Sequence, residues 1–296
     1  MIDLREEWAD LLARRPEFGP ALAVYGDILD QWAHWAAGRV TPLAWARAGC
    51  AERWARGVPL LAEAPPAIRA DDLEELLGVV MERVAAVRED TAAGLQRLAE
   101  AWDRGELGPA ALLPAPGRVG ARALEEVSGL PADLLSFLAG ASLRPALGAY
   151  FSRCRQHLDE HAWELGVCPF CGGPAGFSDV LEDGKRRLAC HLCGGAWMFP
   201  RLRCPYCGTD KSADLVRLEP EDRDQGYVIV ACKRCNGYMK ELDRRVRWNA
   251  RSALVEDWGS PHLDVVAKRA GYWRALPTLL SLSPSSHGDE CSSGMW

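Results

Sequence analysis

Cys168-Pro169-Phe170-Cys171-Gly172, Cys190-His191-Leu192-Cys193-Gly194, Cys204-Pro205-Tyr206-Cys207-Gly208 and Cys232-Lys233-Arg234-Cys235-Asn236-Gly237 repeat one local pattern four times. Two cysteines three positions apart in a tight turn aim both sulfurs at one point, which supplies two corners of a tetrahedron about 2.3 Å from a zinc ion. The residue after the second cysteine is expected to take a positive φ. Glycine accepts that conformation at little cost, and asparagine is the best substitute. Gly172, Gly194, Gly208 and Asn236 occupy that place. Eight of the eleven cysteines are used in this way, and four half-sites make two sites.

The intervals set an expected pairing. Eighteen residues lie between Cys171 and Cys190, 24 between Cys207 and Cys232, and only 10 between Cys193 and Cys204. The two longer intervals each suit a ribbon in which a hairpin separates two knuckles. The preferred pairing is therefore sequential, with Cys168, Cys171, Cys190 and Cys193 in one site and Cys204, Cys207, Cys232 and Cys235 in the other. A nested pairing stays open. Disulfides are a weaker reading because no export signal is evident. A thioredoxin-like centre needs one such pair at a strand–helix junction, and here there are four in glycine-rich turns. Four thiolates suit iron and zinc alike. They leave no open position for water, which argues against hydrolytic metal chemistry. His191, between two cysteines, is expected to face outward and not to be a ligand.

Outward from this stretch the texture changes. Residues 1–165 read as helices rich in Ala, Leu, Arg and Glu. Leu73, Leu76, Leu77, Val80 and Val84 trace one buried helical face, and Leu22, Tyr25, Leu29, Trp32 and Ala36 another. Thr41-Pro42 has the chemistry of a helix start. Pro131-Ala132-Asp133 opens a further helix, kinked at Pro145, running towards Trp163. Pro65-Pro66 and the loop around Pro114-Ala115-Pro116-Gly117 separate segments. Trp32, Trp35, Trp45 and Trp54 fit core packing, and Cys50 and His34 read as isolated side chains. Asp179, Glu182 and Asp183 read as a polar hairpin tip.

The expected fold class is α plus small β: a helical bundle (1–165), two tandem rubredoxin-like or zinc-ribbon metal modules (166–198 and 199–250), a helical segment (251–282) and a disordered tail (283–296) that holds Cys291. Composition is that of a globular chain of 296 residues with a net charge of −6, and no apolar run approaches 18 residues. The charge argues against a general nucleic-acid binder. Against that stands a basic stretch, Lys233, Arg234, Lys240, Arg244, Arg245, Arg247 and Arg251, with Tyr238 and Trp248 interleaved. It reads first as a solvated face that balances the thiolates. A phosphate loop, a nucleophile elbow and a His-Glu-x-x-His helix are all missing, so no enzyme is expected. The acidic, charged start is unlike a secretion signal, and the cytoplasm is the expected compartment.

The four cysteine pairs, with Gly194-Gly195-Ala196-Trp197 after the second, resemble the FdhE family of formate dehydrogenase accessory proteins. Ser142-Leu143-Arg144-Pro145 before the first pair adds to the resemblance, as do Asp264-Val265-Val266-Ala267 and Gly271-Tyr272 after the last. It covers about residues 10–282. It implies a cytoplasmic maturation factor or chaperone that binds the molybdenum- or tungsten-containing catalytic subunit of a formate dehydrogenase before export. It further implies rubredoxin-type iron held by the eight cysteines named, with zinc as the alternative. One centre would then be redox-active and the other structural. A homodimer is compatible with this reading. The rivals are a nucleic-acid-binding zinc ribbon and a rubredoxin-like electron carrier.

Overall fold

The computed structural model describes residues 3–35, 37–115, 122–219, 226–250 and 252–279. Ala36, Pro116, Gly117, Arg251, Cys291 and the tail lie outside the described residues.

The first half is helical. Asp3 caps α1 (Leu4–Arg14) by accepting from the amides of Arg5 and Glu6. There follow α2 (Gly19–His34), α3 (Arg47–Ala55), α4 (Leu60–Glu63), α5 (Ala70–Val87), α6 (Ala92–Asp103), α7 (Pro109–Leu112), α8 (Arg122–Ser128) and α9 (Ala132–Tyr150). The stripe Leu73, Leu76, Leu77, Val80 and Val84 is the buried face of α5, and it packs against α9. Leu22, Tyr25 and Leu29 are buried on α2. Thr41-Pro42 does not begin a helix. That segment is held without helical structure by a tertiary partner, Leu43 N–H donating to the carbonyl of Tyr150 at 2.8 Å.

Helix α9 is buried on most of its circumference and runs through Pro145 to end at Tyr150, short of the expected Trp163. Proline has no N–H, so the carbonyl four residues earlier loses its donor. That carbonyl belongs to Ala141, and the indole N–H of Trp32 on α2 donates to it at 2.7 Å. The defect in one helix is satisfied by a side chain of another.

After residue 165 the chain repeats one plan twice: knuckle, strand, strand, knuckle, strand. The first ribbon contributes β1 (Phe177–Val180), β2 (Arg186–Ala189) and β3 (Ala196–Met198). The second contributes β4 (Leu215–Leu218), β5 (Tyr227–Cys232) and β6 (Tyr238–Asp243). The ribbons join in one six-stranded sheet of order β3-β2-β1-β6-β5-β4. Neighbours within each ribbon are antiparallel, while β1 and β6 pair in parallel, Ser178 opposite Glu241. The first strand of one ribbon thus meets the last strand of the next, head to tail.

Two short helices follow the sheet: α10 (Ala253–Trp258), capped by Ser252, and α11 (Pro261–Arg269). Trp258 stacks on Tyr25 with centroids 4.6 Å apart, and Arg15 donates to the carbonyl of Gly259 at 3.0 Å. One continuous apolar cluster runs from Trp8 through the helices and both cysteine groups to Leu279. Among the described residues no helix is long and apolar enough to cross a membrane.

Candidate metal centres

Each knuckle closes by the same backbone bond. The N–H of the first cysteine donates to the carbonyl five residues on: Cys168 to Gly173, Cys190 to Gly195 and Cys204 to Thr209 at 2.8 Å, and Cys232 to Gly237 at 2.9 Å. The turn then needs a left-handed residue after the second cysteine. Gly172, Gly194, Gly208 and Asn236 have φ of 76°, 77°, 71° and 54°. Asn236 is the single non-glycine with positive φ among the described residues.

The eight sulfurs collect in two groups, sequentially paired. Cys168, Cys171, Cys190 and Cys193 form the first, and Cys204, Cys207, Cys232 and Cys235 the second; within each group all four sulfurs lie within 4.8 Å of one another. Cys168–Cys193 and Cys171–Cys190 are 3.5 Å apart, Cys204–Cys235 and Cys207–Cys232 3.7 Å. A disulfide needs about 2.0 Å. A tetrahedron with sulfurs about 2.3 Å from its centre has edges of about 3.8 Å. The donor set and its spacing therefore fit a four-thiolate metal site in both groups. Packed together, the thiols do not hold their protons equally. Burial opposes ionisation of Cys193, but hydrogen bonds from Cys168, Cys171 and Cys190 and the charge of Arg155 carry it well below the ordinary thiol value.

The ribbons lock together through the residues between the cysteines. In the first centre the packing is reciprocal. A Cβ on Gly195 would meet the ring of Phe170 at 2.4 Å, and a Cβ on Gly173 would meet Leu192 at 2.2 Å. In the second centre one half of this arrangement persists, a Cβ on Gly237 meeting Tyr206 at 2.7 Å. The other half is replaced: Arg234 stands where the first centre has Leu192, and Thr209 where it has Gly173. The consequence is unequal burial. Cys168, Cys171, Cys190 and Cys193 are each 1% exposed or less, whereas Cys207 and Cys235 are half-buried.

Helices hold the first centre from behind. The indole of Trp54 and the amide of Leu60 donate to the carbonyl of Pro169 at 3.0 and 3.1 Å, and the amide of Leu61 to Phe170 at 2.8 Å. From α9 the guanidinium of Arg144 donates to the carbonyls of Cys190 and His191 at 2.9 and 2.7 Å. Arg155 reaches the carbonyl of Cys193. Burial lowers the pKa of Arg144, and the thiolates beside it pull the other way. The Ser-Leu-Arg-Pro sequence thus acquires a physical role: its arginine pins the second knuckle, and its proline opens the carbonyl that Trp32 fills.

His191 points inward, contrary to the outward orientation expected from its place between two ligand-type cysteines. It is buried, and its Nε2 lies 2.9 Å from Oδ2 of Asp257. Asp257 belongs to a closed ionic cluster. Lys240 Nζ lies 2.9 Å from both Asp257 and Asp264. Arg274 donates to Asp264 at 2.9 Å, to Asp257 at 2.5 Å and to the carbonyl of Gly176 at 2.7 Å. Tyr238 donates to Asp264 at 2.7 Å. Burial disfavours the charge on Asp257, yet Arg274, Lys240 and His191 hold it well below the usual carboxylate range. No spacing pattern relates residues 191, 240, 257, 264 and 274. His191 in the second knuckle, Lys240 in the basic stretch and Asp264 in Asp264-Val265-Val266-Ala267 each carry a sequence signal, but none of these signals groups them.

Several polar residues also differ from their sequence reading. Asp179 is not at a hairpin tip but buried on β1, bound at 2.8 Å by both Arg187 and Arg244. Glu182 and Asp183 do lie in the β1–β2 turn. Of the basic stretch, Lys240 is enclosed in the cluster, Arg244 is taken by Asp179, Arg245 pairs with Asp243 at 2.5 Å and Arg247 lies over the Tyr227 ring. Lys233, Arg234 and Trp248 are exposed. Cys50 is not isolated: it is buried thiol to thiol against Cys154, and burial first, then Cys154, pushes its pKa up to about 12.

No family model matches the chain. Curated relatives do match. A protein FdhE homolog of Pseudomonas putida is 32% identical over 164 residues, 52% of this chain and 50% of that one. A protein FdhE homolog of Aquifex aeolicus is 29% identical over 150 residues, 49% of this chain and 51% of that one. The matches therefore span about half the length of these relatives. Among solved structures, the crystal structure of the FdhE protein from Pseudomonas aeruginosa superposes with a TM-score of 0.60 at 22% identity, covering 96% of each chain, which establishes a shared fold. The resemblance to the FdhE family carried by the cysteine pairs and their flanking helices is thus shown, in sequence over about half of each chain and in fold over nearly the whole of this one.

Proposed function

We propose that this protein is an accessory factor that binds the catalytic subunit of a formate dehydrogenase and helps it mature, and that it does so with two metal ions held by Cys168, Cys171, Cys190 and Cys193 and by Cys204, Cys207, Cys232 and Cys235. The observation that carries the reading is the pair of four-sulfur groups set in a fold shared with an FdhE protein. Four protein thiolates fill a tetrahedral ion completely, so the metal supplies rigidity or single-electron chemistry and not an activated water. The chain's own contribution is to keep eight thiols in register. Left-handed turns aim them, and Arg144 and Arg155 place positive charge beside the first group.

On this reading residues 1–165 form a bundle whose surface meets the client, and each ribbon is a rubredoxin-like module. The protein works in the cytoplasm, where thiols stay reduced. A nucleic-acid-binding role gains little support, since most of the basic stretch is engaged with internal partners.

The test is metal content with an optical spectrum on protein purified without oxygen, followed by a binding isotherm against the purified catalytic subunit. The expected result is two ions per chain and saturable binding. Thiolate-to-iron charge-transfer bands assign iron, and a colourless two-zinc protein assigns structural scaffolds. Folded, reduced protein without metal, or a loaded protein that ignores the catalytic subunit, overturns the corresponding half of the reading.

A further inference from the structure

The two centres share a donor set and a backbone plan but not an enclosure. Around the first, each knuckle lays an apolar side chain over the other's glycine, Phe170 on Gly195 and Leu192 on Gly173, and α3, α4 and α9 cover the outside. The second lacks one of these covers, because Arg234 is exposed to solvent and Thr209 turns to Asp214, donating to it at 3.0 Å. Against the retained half of the second centre lies Trp273. Its ring sits 5.6 Å from that of Tyr206, and its indole N–H donates to the carbonyl of Cys235 at 2.5 Å. Trp273 is itself 44% exposed. The strap is tied by backbone bonds on both sides, Trp273 N–H to Asn236 at 2.7 Å and Tyr238 N–H to Trp273 at 2.8 Å.

We propose that the Cys204–Cys207–Cys232–Cys235 centre is the exchangeable one, where a thiolate-preferring divalent ion enters and leaves over the Cys207–Cys235 edge beneath Trp273, while the Cys168–Cys171–Cys190–Cys193 centre keeps its ion for as long as the core stays closed. The proposal rests on the metal reading above. Removal of an ion from a complete thiolate shell begins when a competing ligand reaches the ion or a sulfur dissociates towards water. At the second centre Cys207 and Cys235 already touch solvent. At the first, neither event can happen without opening the apolar cluster, so its exchange is limited by local unfolding. Arg234 and Trp273 set the difference, Arg234 by leaving one side uncovered and Trp273 by screening Tyr206 and the Cys235 carbonyl.

The experiment starts from zinc-loaded full-length protein whose content is first confirmed as two ions per chain; a lower content refutes the metal reading itself and is thereby told apart from failure of this proposal. Release to the chromogenic chelator 4-(2-pyridylazo)resorcinol is then followed in time, with peptide mapping of N-ethylmaleimide adducts at each stage. The expected result is two phases of one equivalent each, the second at least about tenfold slower because it waits for local opening. Cys204, Cys207, Cys232 and Cys235 are alkylated during the first phase, and far-ultraviolet circular dichroism stays largely intact until the second. Trp273→Ala accelerates the fast phase alone, and Arg234→Leu, which restores an apolar side chain at the uncovered position, slows it. Release of both ions in one phase, or first labelling at Cys168, Cys171, Cys190 or Cys193, overturns the proposal. The wild-type result decides even where a variant folds poorly.

Discussion

Arg144 shows how much one side chain can do without touching a sulfur. Its guanidinium satisfies two buried carbonyls of the second knuckle and sits against Gly194, where an added Cβ would lie 2.9 Å from Nη2. Arg144→Ala leaves both carbonyls bare, and charged hydrogen bonds of this kind contribute about 1.5–3 kcal/mol each. We expect a loss of about 3 kcal/mol or more in urea unfolding of the metal-loaded protein, with Arg144→Lys recovering only part because an ammonium lacks the forked geometry. An unchanged midpoint would remove the arginine from the scaffold. Cys50 makes a prediction about pH. Its folded pKa, about 12, lies above that of an ordinary thiol. Because the folded state holds the proton more tightly, the stability it contributes is complete below the ordinary thiol pKa of about 8.5 and drains away as pH rises towards the folded value. Wild-type stability should therefore fall from pH 9 upwards more steeply than that of Cys50→Ala, as thermal melts at stepped pH would record; parallel curves would contradict the assignment. At this scale the turns were legible in the sequence, because the demand for positive φ after each knuckle is local. The inward face of His191, the burial of Asp179 and the meeting of Cys50 with Cys154 were not, since each depends on a partner distant in the chain.

Among the elements, α9 depends on its neighbour α2. Pro145 frees the Ala141 carbonyl and Trp32 fills it. If that is the indole's polar role, Trp32→Phe costs about 1–2 kcal/mol in the wild type, the penalty for an unsatisfied buried acceptor. It should cost less in a Pro145→Ala background, where the helix supplies its own donor. A double-mutant cycle by chemical denaturation measures the coupling, and strict additivity would deny it. The sequence marked Pro145 as an interruption but could not show that the helix continues, because continuation needs the tryptophan. Thr41-Pro42 fails for the opposite reason. Its capping chemistry is sound, but the end of α9 offers Leu43 a backbone partner and holds the segment without helical structure. The sequential grouping of the four knuckles was legible from their intervals, whereas the parallel β1–β6 seam was not, since nothing in a strand's composition names the strand beside it.

For the whole molecule the decisive fact is that one apolar cluster includes both cysteine groups and most helices, while a second, smaller one lies between the sheet and α11. Metal ligation and folding are coupled in small thiolate modules. Sharing one core extends that coupling to the helical half. The metal-loaded protein should melt in one calorimetric transition whose van't Hoff and calorimetric enthalpies agree. Stripping both ions should lower the midpoint and expose amides of α3 and α9 to hydrogen exchange along with those of β1–β6. Two resolved transitions, or exchange confined to the ribbons, would show that the halves fold separately.

The head-to-tail seam has an architectural consequence. A two-fold junction closes upon itself, but a junction between unlike edges can be continued: β4 offers the kind of edge that β1 offers to β6, and β3 the opposite kind. Repeating the operation would build an unending ribbon of knuckles, as heterologous contacts do in fibres. Growth is discouraged at both ends. β3 is only three residues long, and β4 carries the charged Arg217, which reaches back at 3.0 Å to Glu241. Short strands and edge charges of this sort are how sheets avoid recruiting further strands. The molecule is in this sense a polymer stopped at two units.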